Sequence, residues 1–120
     1  MSVQETTLEI HLDNLQHNVR QLKKYLKPGT RFLAVVKANS YGNSSVEVAK
    51  YLEENDLADE FAVAFTSEGI ELREAGVTRP ILVFHPQLVD FEQLVQYNLA
   101  PTLYSKRLIT HFIDLSLIHI

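Results

Sequence analysis

Among the 120 residues, Lys37 has the surroundings best suited to covalent chemistry. It follows the apolar run Phe32-Leu-Ala-Val-Val36, and no acidic residue stands near it in sequence to pair with it. An amine held out of water at a strand end gives up its proton more readily, and the neutral amine is what attacks a carbonyl to form a Schiff base near neutral pH. Position alone leaves a competing reading, in which the lysine lifts its ammonium out of the strand end into solvent. The chain continues Ala38-Asn-Ser-Tyr-Gly-Asn-Ser44, a polar turn that delivers Tyr41 and Gly42 just ahead of a helix start. Free N–H groups at a helix start together with a phenol can hold a phosphate. Equally, Tyr41 can be a packed loop aromatic and Gly42 a turn residue at positive φ.

Other chemistries are closed or unsupported. The chain has no cysteine, which excludes a disulfide scaffold, a thiolate metal site and a cysteine nucleophile. The histidines at 11, 17, 85, 111 and 119 show no metal-ligand spacing, and no metal is assigned. His85 follows an apolar run and reads as loop packing or a helix cap near the rim of a site. Glu68, Glu71, Arg73 and Glu74 read as a solvated helix face with i,i+3 pairing. Phe61, Phe65 and Phe84 read as core. Acidic residues outnumber basic ones, 15 to 11, and no Lys/Arg cluster offsets them, which argues against nucleic acid as a partner. The N-terminus carries an acid and no apolar core, and the greasy stretch from Leu108 is broken by His111, Asp114 and His119. The expectation is a cytoplasmic protein outside the membrane.

The elements that must position these groups alternate. Leu12, Leu15, Val19, Leu22 and Leu26 lie on one helical stripe, with Asp13 as N-cap and Pro28-Gly29 as the end. Phe32 to Ala38 is β-branched without polar alternation, as in a parallel strand buried on both faces. Ser44-Ser-Val-Glu47 has the spacing of a capping box. Phe61–Phe65 reads as a second strand, Ser67–Ala75 as its helix closed by Gly76, and Pro80–His85 as a third strand. A helix around Leu88–Tyr97, a short strand Ala100–Tyr104 and a helix from Ser105 to about Leu115 complete about four βα units. The class is α/β with parallel strands. A small doubly wound sheet is complete at this length, whereas a (β/α)8 barrel needs about 250 residues, so a barrel would be present only as its first half.

The segment Ala34-Val-Val-Lys-Ala-Asn-Ser-Tyr-Gly42 resembles the pyridoxal-phosphate attachment motif of alanine racemases. The likeness extends to Leu8-Glu-Ile with Asp13-Asn-Leu-Gln-His-Asn18, to Phe61–Phe65 with Glu68-Gly-Ile-Glu-Leu-Arg73, and to Pro80–Phe84. It implies a TIM-type (β/α)8 barrel of which residues 1–120 are the N-terminal half, with a C-terminal β domain absent from the sequence. It also implies that Lys37 carries pyridoxal 5'-phosphate as an internal aldimine and is one of two catalytic bases, with Tyr41 on the phosphate. The implied reaction is interconversion of L- and D-alanine for peptidoglycan, by a homodimer when full length, with the 120-residue chain alone inactive.

Three features depart from the family pattern. Asn43-Ser44 stands where the family commonly has His-Gly, which puts an accessory hydrogen bond near Tyr41 in question and leaves room for a different amino-acid specificity. The family's second base, a tyrosine, and its arginine facing the pyridine nitrogen would lie beyond residue 120. The tail Leu115-Ser-Leu-Ile-His-Ile120 does not resemble the family's continuation into a fifth strand; it is either foreign sequence or a divergent strand. Alternatives to the racemase are another barrel-type pyridoxal-phosphate enzyme, such as a decarboxylase or a broad-specificity racemase, and a non-catalytic cofactor carrier or inactive fragment.

Overall fold

Apolar runs of three to five residues, each followed by a helical pattern, bury best when strands pair side by side and the helices cover one face. The structure of the chain, a computed structural model, describes residues 6–42 and 44–118, with the side chains at 41, 42 and 118 outside that description. In chain order the elements are α1 (Leu12–Lys23), β1 (Leu33–Val35), α2 (Lys37–Gly42), α3 (Ser45–Glu54), β2 (Glu60–Val63), α4 (Thr66–Glu74), β3 (Ile81–Val83), a 3-10 turn (Leu88–Asp90) leading into α5 (Phe91–Gln96), β4 (Ala100–Pro101) and α6 (Lys106–Ile118). The four strands are parallel and lie in the order β1-β2-β3-β4. A doubly wound sheet reverses its order at a switch point, and this one does not. Parallel strands that follow one another as neighbours, each joined to the next through helices, make the sheet an arc of a barrel wall.

Register decides which side chains meet. Phe61 pairs with Ile81 and Val63 with Val83. These four are fully buried in the same cluster as Leu52, Leu72, Phe91 and Leu94 from the helices. The alternate positions Val35, Ala62, Leu82 and Ala100 form one row across the opposite face. At its β1 edge that face is open, with Leu33 and Val35 37% and 40% exposed, while Ala62 within the row is fully buried. The expectation of a first strand buried on both faces is therefore corrected, because β1 is an edge strand covered on one side.

Several local expectations shift as well. Asp13 is not the N-cap of α1; His11 precedes the helix without a side-chain cap bond, and Asp13 sits in the first turn, where its charge suits the helix dipole. The helix stops at Lys23 rather than running to Pro28, and Gly29 takes the left-handed turn at φ 84°. Phe65 is 53% exposed, since it lies past the end of β2 at the start of α4, while Phe61 is core and Phe84 half-buried. Arg73 does not lie on a solvated face. Its guanidinium is half-buried and donates to the carbonyls of Tyr97 (2.9 Å), Val77 (2.9 Å), Arg79 (2.8 Å) and Asn98 (3.0 Å), tying α4 to the loops before β3 and β4. Glu71 and Glu74 are exposed as expected. Residues 115–118 continue α6 rather than forming a strand, and the last two residues of the tail lie outside the described residues.

Candidate active site

Lys37 stands where β1 ends. Val36 still pairs with the sheet, its N–H donating to Ala62 O at 2.8 Å, and the chain then turns at Lys37. The strand is thus shorter than the run to Ala38 read from the sequence. By the alternation of the strand, position 37 shares the uncovered face with Leu33 and Val35, at the C-terminal end of the sheet, where parallel α/β proteins place their chemistry. Lys37 is half-buried and forms no ion pair among the described residues.

The turn that follows is of unusual hand. Ala38, Asn39 and Ser40 have φ of 51°, 56° and 53°, so α2 winds through the left-handed region without a glycine at any of the three positions. Each such residue costs roughly 1–2 kcal/mol for an L-amino acid, so the conformation persists only if its surroundings hold it. Hydrogen bonds do this on both sides of Lys37. Ahead of it, the Val36 carbonyl accepts from Ser40 N–H at 3.3 Å and from the Ser45 hydroxyl. Behind it, Ala38 N–H donates to Glu68 Oε2 at 2.8 Å. Asn39 Oδ1 accepts from Ser45 N–H at 3.1 Å, which closes the turn onto α3.

This arrangement replaces the capping box expected from Ser44 to Glu47. Ser44 itself has φ 62° and makes no side-chain cap bond, since it enters α3 from a left-handed turn; Ser45 and Asn39 take over the work at that helix start. Glu68 likewise departs from the solvated role read for it. Its Oε1 accepts from Ala64 N–H at 3.0 Å and Phe65 N–H at 2.8 Å while Oε2 reaches Ala38, so the carboxylate joins the loop after β1 to the loop after β2. Asp90 forms the next link of the rim, accepting from the Thr66 hydroxyl at 3.1 Å and from Gln87 N–H at 3.3 Å. His85 is exposed beyond β3 with its ring 6.0 Å from that of Phe65, a loop contact as read from the sequence.

Tyr41 lies four residues after Lys37 in α2, and its side chain lies outside the described residues. Sequence reasoning missed Glu68, Ser45 and Asn39 as supports of the turn. The signal for Glu68 was its place three residues beyond Phe65 at a helix start, a spacing that lets a carboxylate reach back to backbone N–H groups. Its reach to Ala38, thirty positions away, has no local signature. A groove of about 550 Å³ runs along the outer edge of β1, lined by residues including Leu15, Val19, Leu33, Val35 and Ser40. Lys37 does not line it.

Residues 10–117 match the family model of the alanine racemase N-terminal domain. The chain is 39% identical over 103 residues to alanine racemase 1 of Caldanaerobacter subterraneus subsp. tengcongensis, covering 85% of this chain and 26% of that protein. It is 42% identical over 118 residues to alanine racemase of Synechocystis sp., covering 95% and 31%. Among solved structures it superposes on alanine racemase of Clostridium difficile 630 in complex with cycloserine with a TM-score of 0.87, at 37% identity over 92% of this chain and 30% of that one. The chain therefore spans about a quarter to a third of the length of the relatives it matches.

Proposed function

The chain belongs to the alanine racemase N-terminal domain family, and from that premise we propose that it contributes the first four βα units of a pyridoxal-phosphate barrel in an enzyme interconverting L- and D-alanine. In this reading residues 1–120 are the N-terminal half of the barrel domain, Lys37 holds the cofactor and is one of two bases, and Tyr41 contacts the phosphate. A C-terminal β domain completes the polypeptide and brings the second base. The working molecule is a cytoplasmic homodimer supplying D-alanine for peptidoglycan. No helix among the described residues is long and apolar enough to cross a membrane. The matched relatives are named alanine racemases, so the decarboxylase and carrier alternatives gain no support.

The observation that carries the reading is the held turn around Lys37. An amine that must meet one small carbonyl carbon in a defined direction needs its Cα fixed, and here the carbonyl before it and the amide after it are both bonded to other elements. The residues present fit the cofactor, since the amine is half-buried, engaged by no carboxylate of the described residues, and placed at the C-terminal rim. Pyridoxal phosphate, when bound, supplies a conjugated ring that takes up the carbanion charge of the substrate α-carbon. Lys37 Nζ anchors that group and moves the α-proton on one face of the substrate. Cycloserine in the structural relative is a cyclic amino-acid analogue, which accords with an amino-acid substrate here. Treatment with pyridoxal phosphate, borohydride reduction and peptide mapping should put the pyridoxyl group on Lys37; preferential labelling of any other lysine overturns the assignment.

A further inference from the structure

We propose that Glu68 is the positioning residue of Lys37, its carboxylate setting the hand of the turn that follows the lysine and so the direction in which the amine stands. The inference rests on the reading of Lys37 as the cofactor lysine and adds what holds it in place.

Ala38 has no side chain able to stabilise its own positive φ, and it is the residue bonded directly to Lys37. Among the described residues its N–H donates to Glu68 Oε2, from a different βα unit. Glu68 in turn cannot drift, because its other oxygen is held by the amides of Ala64 and Phe65 at the end of β2. The position of Lys37 is thereby referenced to the neighbouring strand as well as to its own. Three N–H donors converge on one side chain, and only a group with acceptors at both ends serves them all. A carboxylate does so; an amide of the same shape offers one oxygen and turns an NH2 donor toward either Ala38 or the Ala64–Phe65 pair. A charged acceptor also binds N–H groups about twice as strongly as a neutral one. Among the described residues, the bonds of Ser40 N–H and the Ser45 hydroxyl to Val36 O and of Ser45 N–H to Asn39 Oδ1 tie the turn to its own strand end and to α3, whereas Glu68 ties it to the next βα unit.

The test compares the parent chain with Glu68→Gln and with Glu71→Gln, the latter removing the same charge from an exposed site on the same helix. Two quantities are read: hydrogen exchange of individual amides, and the rate at which pyridoxal phosphate with borohydride captures Lys37 relative to the other lysines. In Glu68→Gln the Ala38 amide should exchange about ten- to a hundredfold faster while Phe61, Leu72 and Ile81 keep their protection, and relative capture of Lys37 should fall about tenfold or more. Glu71→Gln should match the parent in both. Unchanged Ala38 exchange or unchanged Lys37 capture in Glu68→Gln overturns the proposal. So does loss of protection throughout the core, which would make the carboxylate a support of the fold, and so does an equal effect from Glu71→Gln, which would make it a matter of net charge. Should the parent label preferentially at another lysine, the functional reading of Lys37 fails, while Ala38 exchange still decides whether Glu68 holds the turn.

Discussion

Carboxylates do different work at the two ends of the sheet. At the C-terminal rim Glu68 binds the amide next to the candidate lysine and two amides after β2, and Asp90 binds the Thr66 hydroxyl and the Gln87 amide. At the other end Glu53 Oε1 accepts from Thr78 N–H (2.8 Å), the Thr78 hydroxyl (3.0 Å) and Arg79 N–H (2.7 Å), and Arg79 also pairs with Asp56 at 2.7 Å. Burial pushes the Glu53 carboxyl up, but these donors together with the Arg79 charge outweigh it and hold the group below the usual carboxylate range. A carboxyl lowered by folding adds stability that is fully present above its unfolded value and is lost as pH falls through the folded one. The chain should therefore lose stability on acidification below about pH 5, and Glu53→Gln should be less stable at pH 7 yet show a shallower acid dependence. Urea midpoints measured from pH 7 to pH 3 check this; parallel curves for parent and variant would remove Glu53 from the account.

At the scale of elements, the helix layer is keyed to the strands by close contacts. Gly69 in α4 faces the Leu99 side chain and β3, and a Cβ placed there would lie 2.9 Å from Leu99 Cδ1, 3.1 Å from Leu99 Cδ2 and 3.6 Å from Ile81 Cγ2. Alanine would add about 1 kcal/mol of helix propensity, but Leu99 and Ile81 are buried, and overpacking a core costs about 1–3 kcal/mol. Gly69→Ala should be destabilising on balance, on the order of 1 kcal/mol, read as a lowered thermal midpoint. A raised midpoint would show that Leu99 rotates away freely. The consequence would reach the site, because α4 carries Glu68 one residue earlier.

At the scale of the whole molecule, one face of the sheet is buried in the core cluster and the other is open at its β1 edge. Leu33 and Val35 are the visible sign, and among the described residues β1 is an edge strand of the sheet. In the racemase reading, acid and base must stand on opposite faces of the substrate, and this chain offers Lys37 for one of them. The 120 residues alone should accordingly form no D-alanine from L-alanine and added pyridoxal phosphate in deuterated water. D-alanine carrying α-deuterium above the free-cofactor control would mean that a second base lies within the chain. What was legible without coordinates was local: the apolar runs that become β1 to β3, the alternation with helices, and the Lys37 motif are written in contiguous residues, where period and residue type suffice. Period and residue type left the strand order open between a doubly wound sheet and a barrel, which only the family resemblance resolved toward the barrel. The left-handed turn after Lys37, the exposure of Phe65 and the partners of Glu68 and Arg73 came only with the tertiary structure. Their physical cause is common to all: each depends on groups brought together from other βα units, 24 to 30 positions away for the key contacts of Arg73 and Glu68, and no local pattern of residues encodes a partner at that distance.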